Sequence, residues 1–200
     1  MRNRYLEIAT TPAVHAARLR QDGVDRYDHA DGPVVNDRLG VAESAFIASR
    51  DSFYLASISE VGWPYVQHRG GPPGFLRVID EHTLGFADFR GNRQYLTLGN
   101  TAVNPRVSLF LMDYARRRRL KIFGRLSVSD DAAFVAQLRT PSHDATVERG
   151  IRIDVEATDW NCPQHITPRF TEAEIALASA PLHARIAMLE AEVARLRALS

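Results

Sequence analysis

Apolar residues recur along this chain at two spacings, and the places where one gives way to the other mark its elements. Around Val14, Ala17 and Leu19 the spacing is helical, and Gly23, Gly32, Pro33 and Gly40 predict a loop behind that helix. Val41, Ala45, Phe46 and Ile47 predict a short amphipathic helix ending near Arg50. From there the period falls to two. Residues 52–59 and 65–69 flank the turn signal Glu60-Val61-Gly62-Trp63-Pro64, and 75–79 and 83–88 flank Asp80-Glu81-His82, so two hairpins are predicted. Tyr95, Leu96 and Leu98 lengthen the period again, predicting a helix from Asn92 that Gly99-Asn100 caps. Strands at 106–112 and 119–128 follow, joined by a tip containing Tyr114 to Arg118. Asp130 and Asp131 open a helix, and residues 151–157 alternate as a last strand. Closely spaced antiparallel strands with small helices in the joints predict a mainly β barrel or sandwich with peripheral helices.

The tail has a different character. Thr171 and Glu174 stand at capping-box spacing, and beyond Pro181 the residues Leu182, Ile186, Leu189, Val193 and Leu196 alternate steps of four and three. Glu190, Glu192, Arg195 and Arg197 lie beside this stripe, which reads as a two-heptad coiled-coil seam over 182–196. Either the chain's own barrel or another subunit would cover it.

Charge narrows the partners. Twenty-five basic against 24 acidic residues leave a formal charge of +1, without the sustained positive field of a general nucleic-acid or membrane-surface binder. Lys121 is the single lysine, so arginine, the side chain best shaped to fork onto phosphate, supplies nearly all the positive charge. One cysteine, Cys162, excludes an internal disulfide and a thiolate metal cluster, and no metal site is expected from the scattered histidines. Neither an apolar signal segment nor a membrane span is visible, so a cytoplasmic location is expected.

Familiar nucleophile and nucleotide motifs are missing: no Gly-x-Ser-x-Gly, His-Glu-x-x-His, Walker loop or Gly-x-Gly-x-x-Gly. Two segments carry candidate chemistry instead. Alternation places Tyr65, Gln67 and Arg69 on one strand face and Val66 and His68 on the other, ahead of Gly70 and Gly71, where a ligand can approach backbone. In Asp88-Phe89-Arg90-Gly91-Asn92-Arg93-Gln94, arginines flank a glycine at a predicted helix start, a setting for phosphate with Arg93 as main anchor.

These segments, with Phe53-Tyr54-Leu55-Ala56-Ser57, Leu98-Gly99-Asn100 and Asn104-Pro105-Arg106, resemble the pyridoxamine 5′-phosphate oxidase-like, FMN-binding split-barrel family. His68-Arg69-Gly70-Gly71-Pro72-Pro73-Gly74 and Asn161-Cys162-Pro163 are similar to signatures of its flavin-nucleotide-binding branch. The resemblance implies a six-stranded antiparallel Greek-key split barrel over 41–165, an N-terminal extension at 1–40 and a helical tail at 166–200. It also implies a homodimer with FMN in clefts shared between subunits. Gln67, His68, Arg69, Gly70 and Gly71 would then run along the flavin and its ribityl chain, with Asp88 as a third-strand contact. Asn92 and Arg93 would bind phosphate, Arg119 would reach in from the partner chain, and Trp160 and Cys162 would close over the ring.

Three departures argue against oxidation of pyridoxamine phosphate itself. The Gly-Pro-rich insertion replaces a basic residue at the end of the second barrel strand, Gln94 replaces another, and the C-terminal Arg-x-His is absent. The expectation is an FMN-dependent oxidoreductase passing hydride or electrons between flavin and a nicotinamide or small organic substrate, with no dedicated catalytic side chain. The alternatives are a non-catalytic flavin- or haem-binding module, with His68 or His165 as axial ligand, and an interaction protein acting through the tip Arg116 to Arg119.

Overall fold

The computed structural model describes residues 1–24, 31–91, 93–139, 146–160 and 163–199. Their elements, in chain order, are β1 (Arg2–Asn3), α1 (Arg4–Ala9), α2 (Pro12–Asp22), β2 (Val34–Val35), α3 (Val41–Ala48), β3 (Ser52–Ile58), β4 (Pro64–Gly70), β5 (Arg77–Asp80), β6 (Thr83–Phe89), α4 (Leu96–Val103), β7 (Arg106–Asp113), β8 (Arg118–Ser129), α5 (Ala132–Leu138), β9 (Val147–Trp160) and α6 (Glu172–Arg197). They form two compact units, one of residues 1–113 and 118–163, the other of 114–117 and 164–200.

In the first unit seven strands make one antiparallel sheet in the order β4-β3-β7-β8-β9-β6-β5, and β1 and β2 form a small parallel pair. The apolar half of each alternating pattern turns inward: Phe53 and Leu55, Leu109 and Leu111, Leu120 and Ile122, Ile151 and Ile153, Leu84 and Phe86 are all buried. Each such side chain contributes about 1.5–3 kcal/mol of burial free energy, so the alternation fixes which face turns in. The sheet curls on itself, because Phe53 of β3 meets Phe86 of β6 edge to face at 5.4 Å although four places separate the two strands. A bulge at Phe123/Gly124 bends the long β8–β9 pair, and a Cβ on Gly124 would stand 2.7 Å from the Asp154 carbonyl oxygen.

Small helices cover what the sheet leaves open. Asp131 caps α5, accepting from the Phe134 amide at 2.7 Å. Phe134 and Leu138 settle onto Gly85 and Gly150, where a Cβ would come within 2.7–3.1 Å of them. Tyr5 of α1 is buried in a stack on Phe123 with centroids 4.4 Å apart, and Lys121, paired with Asp159 at 2.6 Å, points its ammonium at the same ring. The start of the chain thus belongs to the barrel unit.

Two boundaries depart from the pattern. α4 begins at Leu96, because Arg93 and Tyr95 hold left-handed backbone with φ of 58° and 52°. It then runs through Gly99, whose amide donates to the Tyr95 carbonyl at 2.9 Å, and stops at Asn104. Gly99 is an interior residue there and not a cap. β9 reaches back to Val147, four residues before its clean alternation starts, because its pairing with β6 continues to Phe89.

In the second unit Thr171 and Glu174 form the expected capping box, and α6 continues through Pro181 with no residue buried. Arg169 lies over the Tyr114 ring at 5.1 Å. Among the described residues no helix is long and apolar enough to cross a membrane.

Candidate functional site

β4 and β6 are not neighbours in the sheet, and along the gap between them lies a cleft of about 230 Å³. Tyr65, Gln67 and Arg69 form one wall, the face of β4 that alternation assigned to them. Asp88 and Phe89 at the end of β6, Gly91 and Arg93 to Leu98 on the way into α4, and Glu148 of β9 provide described residues of the other wall. One wall is therefore local in sequence, while the other joins two segments far apart along the chain.

The two walls are joined by an ion pair. Arg69 donates to Asp88 at 2.9 Å, and on the other side Arg149 Nε stands 3.6 Å from the second Asp88 oxygen. Asp88 is only 6% exposed, so two guanidinium groups share one buried carboxylate. The Nε atoms of both arginines are buried without a hydrogen-bond acceptor. Such donors cost about 1–3 kcal/mol when left unmet; Arg69 lines the cleft, and Arg149 stands behind it against Asp88.

Glu148 extends the network. Arg149 reaches it at 2.9 Å, Arg90 at 3.3 Å, and the Tyr95 hydroxyl donates to it at 3.4 Å. Burial pushes the Glu148 carboxyl up, but the hydrogen bonds and charges of Arg90 and Arg149 outweigh it and hold the group below its ordinary value. Arg149 also lies 5.3 Å from the Tyr95 ring centroid, which ties the turn before α4 to β9.

α4 is pinned to the strands by its polar underside. Thr97 donates to Gln67 of β4 at 2.9 Å and Asn100 to Ser57 of β3 at 3.0 Å, while the Thr101 hydroxyl turns back within the helix to the Thr97 carbonyl at 2.8 Å. Its opposite end faces the cleft: Tyr95, the residue before the helix, supplies no side-chain cap, so the first amides of α4 are available to an anion. Arg93 lines the cleft in the turn ahead of the helix. At Gly91 an added Cβ would meet nothing nearer than 4.0 Å, so this glycine answers no close contact within the chain.

The structure thus brings Gln67, Arg69, Asp88 and Arg93 together. His68 projects from the opposite face of β4 and meets Tyr54 edge to face at 5.7 Å. Gly70 ends that strand, and the amide of Gly71 just beyond it donates to the Asp51 carbonyl at 2.9 Å. Arg119 lies over Phe110 at 5.7 Å, on the outer face, with its Nε buried and without an acceptor. Trp160 packs against Phe46 at 4.9 Å and under Arg118 at 4.5 Å, and its indole N–H donates to Glu43. Asn92 and Cys162 lie outside the described residues. Glu148 and Arg149 escaped the sequence reading because they precede the clean alternation of β9, and no local signal ties them to Asp88.

A family model described as pyridoxamine 5′-phosphate oxidase matches residues 42–158, more than half of the chain, and the chain belongs to that family, as its motifs predicted. Similar solved structures include HupZ from Group A Streptococcus (14% identity, 66% of this chain and 100% of that one, TM-score 0.48). Another is an FMN-binding protein from Syntrophomonas wolfei (12% identity, 60% and 83%, TM-score 0.47). A third is a protein related to general stress protein 26 from Clostridium acetobutylicum (14%, 68% and 95%, TM-score 0.49). No curated protein matches the sequence.

Proposed function

We propose that this chain is an FMN-binding flavoprotein that passes hydride or electrons between a nicotinamide or small organic substrate and the flavin. The observation that carries it is the cleft itself: Arg69, held by the buried Asp88, lines one part, and an uncapped helix start with Arg93 lines another. A planar, acceptor-rich ring joined to a phosphate answers both needs at once. Membership of the oxidase family supports the same cofactor.

In this reading Arg93 and the first amides of α4 hold the phosphate, with Gly91 leaving it room. Tyr65 and Gln67 flank the ring and ribityl chain, and Arg69, kept in place by Asp88 with Arg149 on that carboxylate's other side, donates to the ring's polar edge. Bound flavin supplies the hydride-accepting centre, and the chain's part is to bind, orient and exclude water. The sheet has seven strands; in this reading β4-β3-β7-β8-β9-β6 make the six-stranded Greek-key barrel and β5 is a short edge addition.

The cleft is completed in a homodimer. Tyr54, Ile58 and Val66 are 40%, 44% and 58% exposed on the outer face of β3 and β4, next to Phe110 and the unsatisfied Arg119. A second copy covers this face and carries Arg119 to its neighbour's cleft. His68, Gly70, Gly71 and Trp160 border the cofactor in that assembly.

The test is the absorption spectrum of the purified protein with and without added FMN, the released chromophore then being identified. Anaerobic reduction by NADH or NADPH follows. A flavin spectrum that bleaches faster than free FMN is the expected result. A protein that ignores FMN and instead gains a haem band ends the flavin reading, and a bound flavin that neither nucleotide reduces removes the nicotinamide.

A further inference from the structure

α6 is 26 residues long and buries none of them, although its stripe residues Leu182, Ile186, Leu189, Val193 and Leu196 are large and apolar, each about half exposed or more. A helix with such a stripe is stabilised chiefly by what packs on it. The identity of the stripe residues specifies the partner. In heptad positions Leu182, Leu189 and Leu196 are d, while Ile186 and Val193 are a. β-branched residues at a with leucine at d favour two parallel strands over three or four.

The flanking charges point the same way. Arg185 and Glu192 take g positions, Glu190 and Arg197 take e. In a parallel, in-register pair each g side chain faces the e position five residues on in the other helix. Arg185 then meets Glu190 of the partner subunit, and Glu192 meets the partner's Arg197. Two-fold symmetry repeats both contacts, giving four pairs of opposite sign. Of the two antiparallel registers that seat a against d, one sets Glu190 against Glu190 and Glu192 against Glu192, and the other keeps only two Arg185–Glu192 pairs while placing Leu196 opposite Ser179. Upstream, Ser179 at a and Pro181 at c end the seam.

We infer that α6 pairs with α6 of a second copy of this chain as a parallel, in-register, two-stranded coiled coil over residues 182–196. This pairing does not depend on flavin binding. It also sets one symmetry: a parallel pair has its two-fold along the helices, so a dimer of barrels and the coiled coil close in one assembly only where the two axes coincide.

The test uses the full chain with C162S, so that one introduced thiol is the only one present. Under mild oxidation L196C should cross-link to itself, and L182C likewise, while a mixture of the two yields no heterodisulfide. Arg185 and Glu190 have no charged residue three or four positions away on their own helix, so their signs can be reversed without touching an intrahelical pair. R185E and E190R should each slow the L196C cross-link roughly tenfold, and R185E with E190R in one chain should restore it. Circular dichroism checks that each variant keeps its helix. A dominant L182C–L196C heterodisulfide, no cross-link of L196C, or a double reversal no better than either single one overturns the inference.

Discussion

Asp88 holds the site together at the scale of single side chains, because one buried carboxylate offsets Arg69 on one side and Arg149 on the other. Asp88→Asn keeps the volume and removes the charge, leaving two guanidinium groups to repel each other in a poorly hydrated place. Urea unfolding should show a loss toward the lower end of the about 3–5 kcal/mol that breaking a buried pair costs, since Arg149 retains some contact with water. Glu148 brings a pH dependence. Its carboxyl lies below the ordinary value when folded, so its contribution is complete above the unfolded glutamate pKa and is lost as pH falls through the lowered folded one. Stability of the wild type should therefore decline below about pH 4.3, and Glu148→Gln should flatten that part of the curve. At the other end of the cleft, Arg93→Ala removes one charge-assisted hydrogen bond, and a fluorescence titration should find FMN binding roughly 10- to 150-fold weaker. Unchanged affinity would place the phosphate elsewhere.

Elements are positioned by glycines and by polar pins as much as by apolar contact. α5 rests where Gly85 and Gly150 leave room, and α4 is held by the hydrogen bonds of Thr97 and Asn100 to the strands beside the contact of Leu98 with the core. Gly124 is the most demanding position, because the group it would strike is a backbone carbonyl that cannot swing away. Gly124→Ala should cost about 1–3 kcal/mol or more by overpacking, read as a lower midpoint in thermal unfolding. The β8–β9 bend should relax with it. α4 also shows why its limits were misread. Gly99 is a helix-ending signal when only neighbours in sequence are considered, but the bonds from Thr97 and Asn100 to β4 and β3 carry the helix past it.

At the scale of the whole molecule, the two proposed contacts with a second copy, one through the barrel unit and one through α6, would reinforce each other through their tether. With one contact formed, the other becomes intramolecular, at an effective concentration on the order of millimolar for a short linker. Deletion of residues 171–200 should leave the barrel folded and able to take up FMN at high protein concentration. On dilution, the truncated protein should dissociate and release flavin before the full chain does, as analytical ultracentrifugation and flavin fluorescence would record. Equal dissociation of the two would confine the tail to a role outside the dimer.

Alternation of apolar and polar residues determined the strands, their facing and the hairpins, since period two admits one buried face for each strand. It also placed Tyr65, Gln67 and Arg69 on a common face, and local motifs marked Asp88 and Arg93. The tail's seam and its capping box were legible for the same reason, being set by residues a few positions apart. Tertiary structure alone decided that the sheet closes without joining β4 to β6, that Arg149 comes up beside Asp88 from 61 positions further along the chain, and that α4 starts late enough to turn bare amides into the cleft. Those facts depend on the curvature of a sheet and on contacts between distant segments, and no local pattern of side chains encodes either.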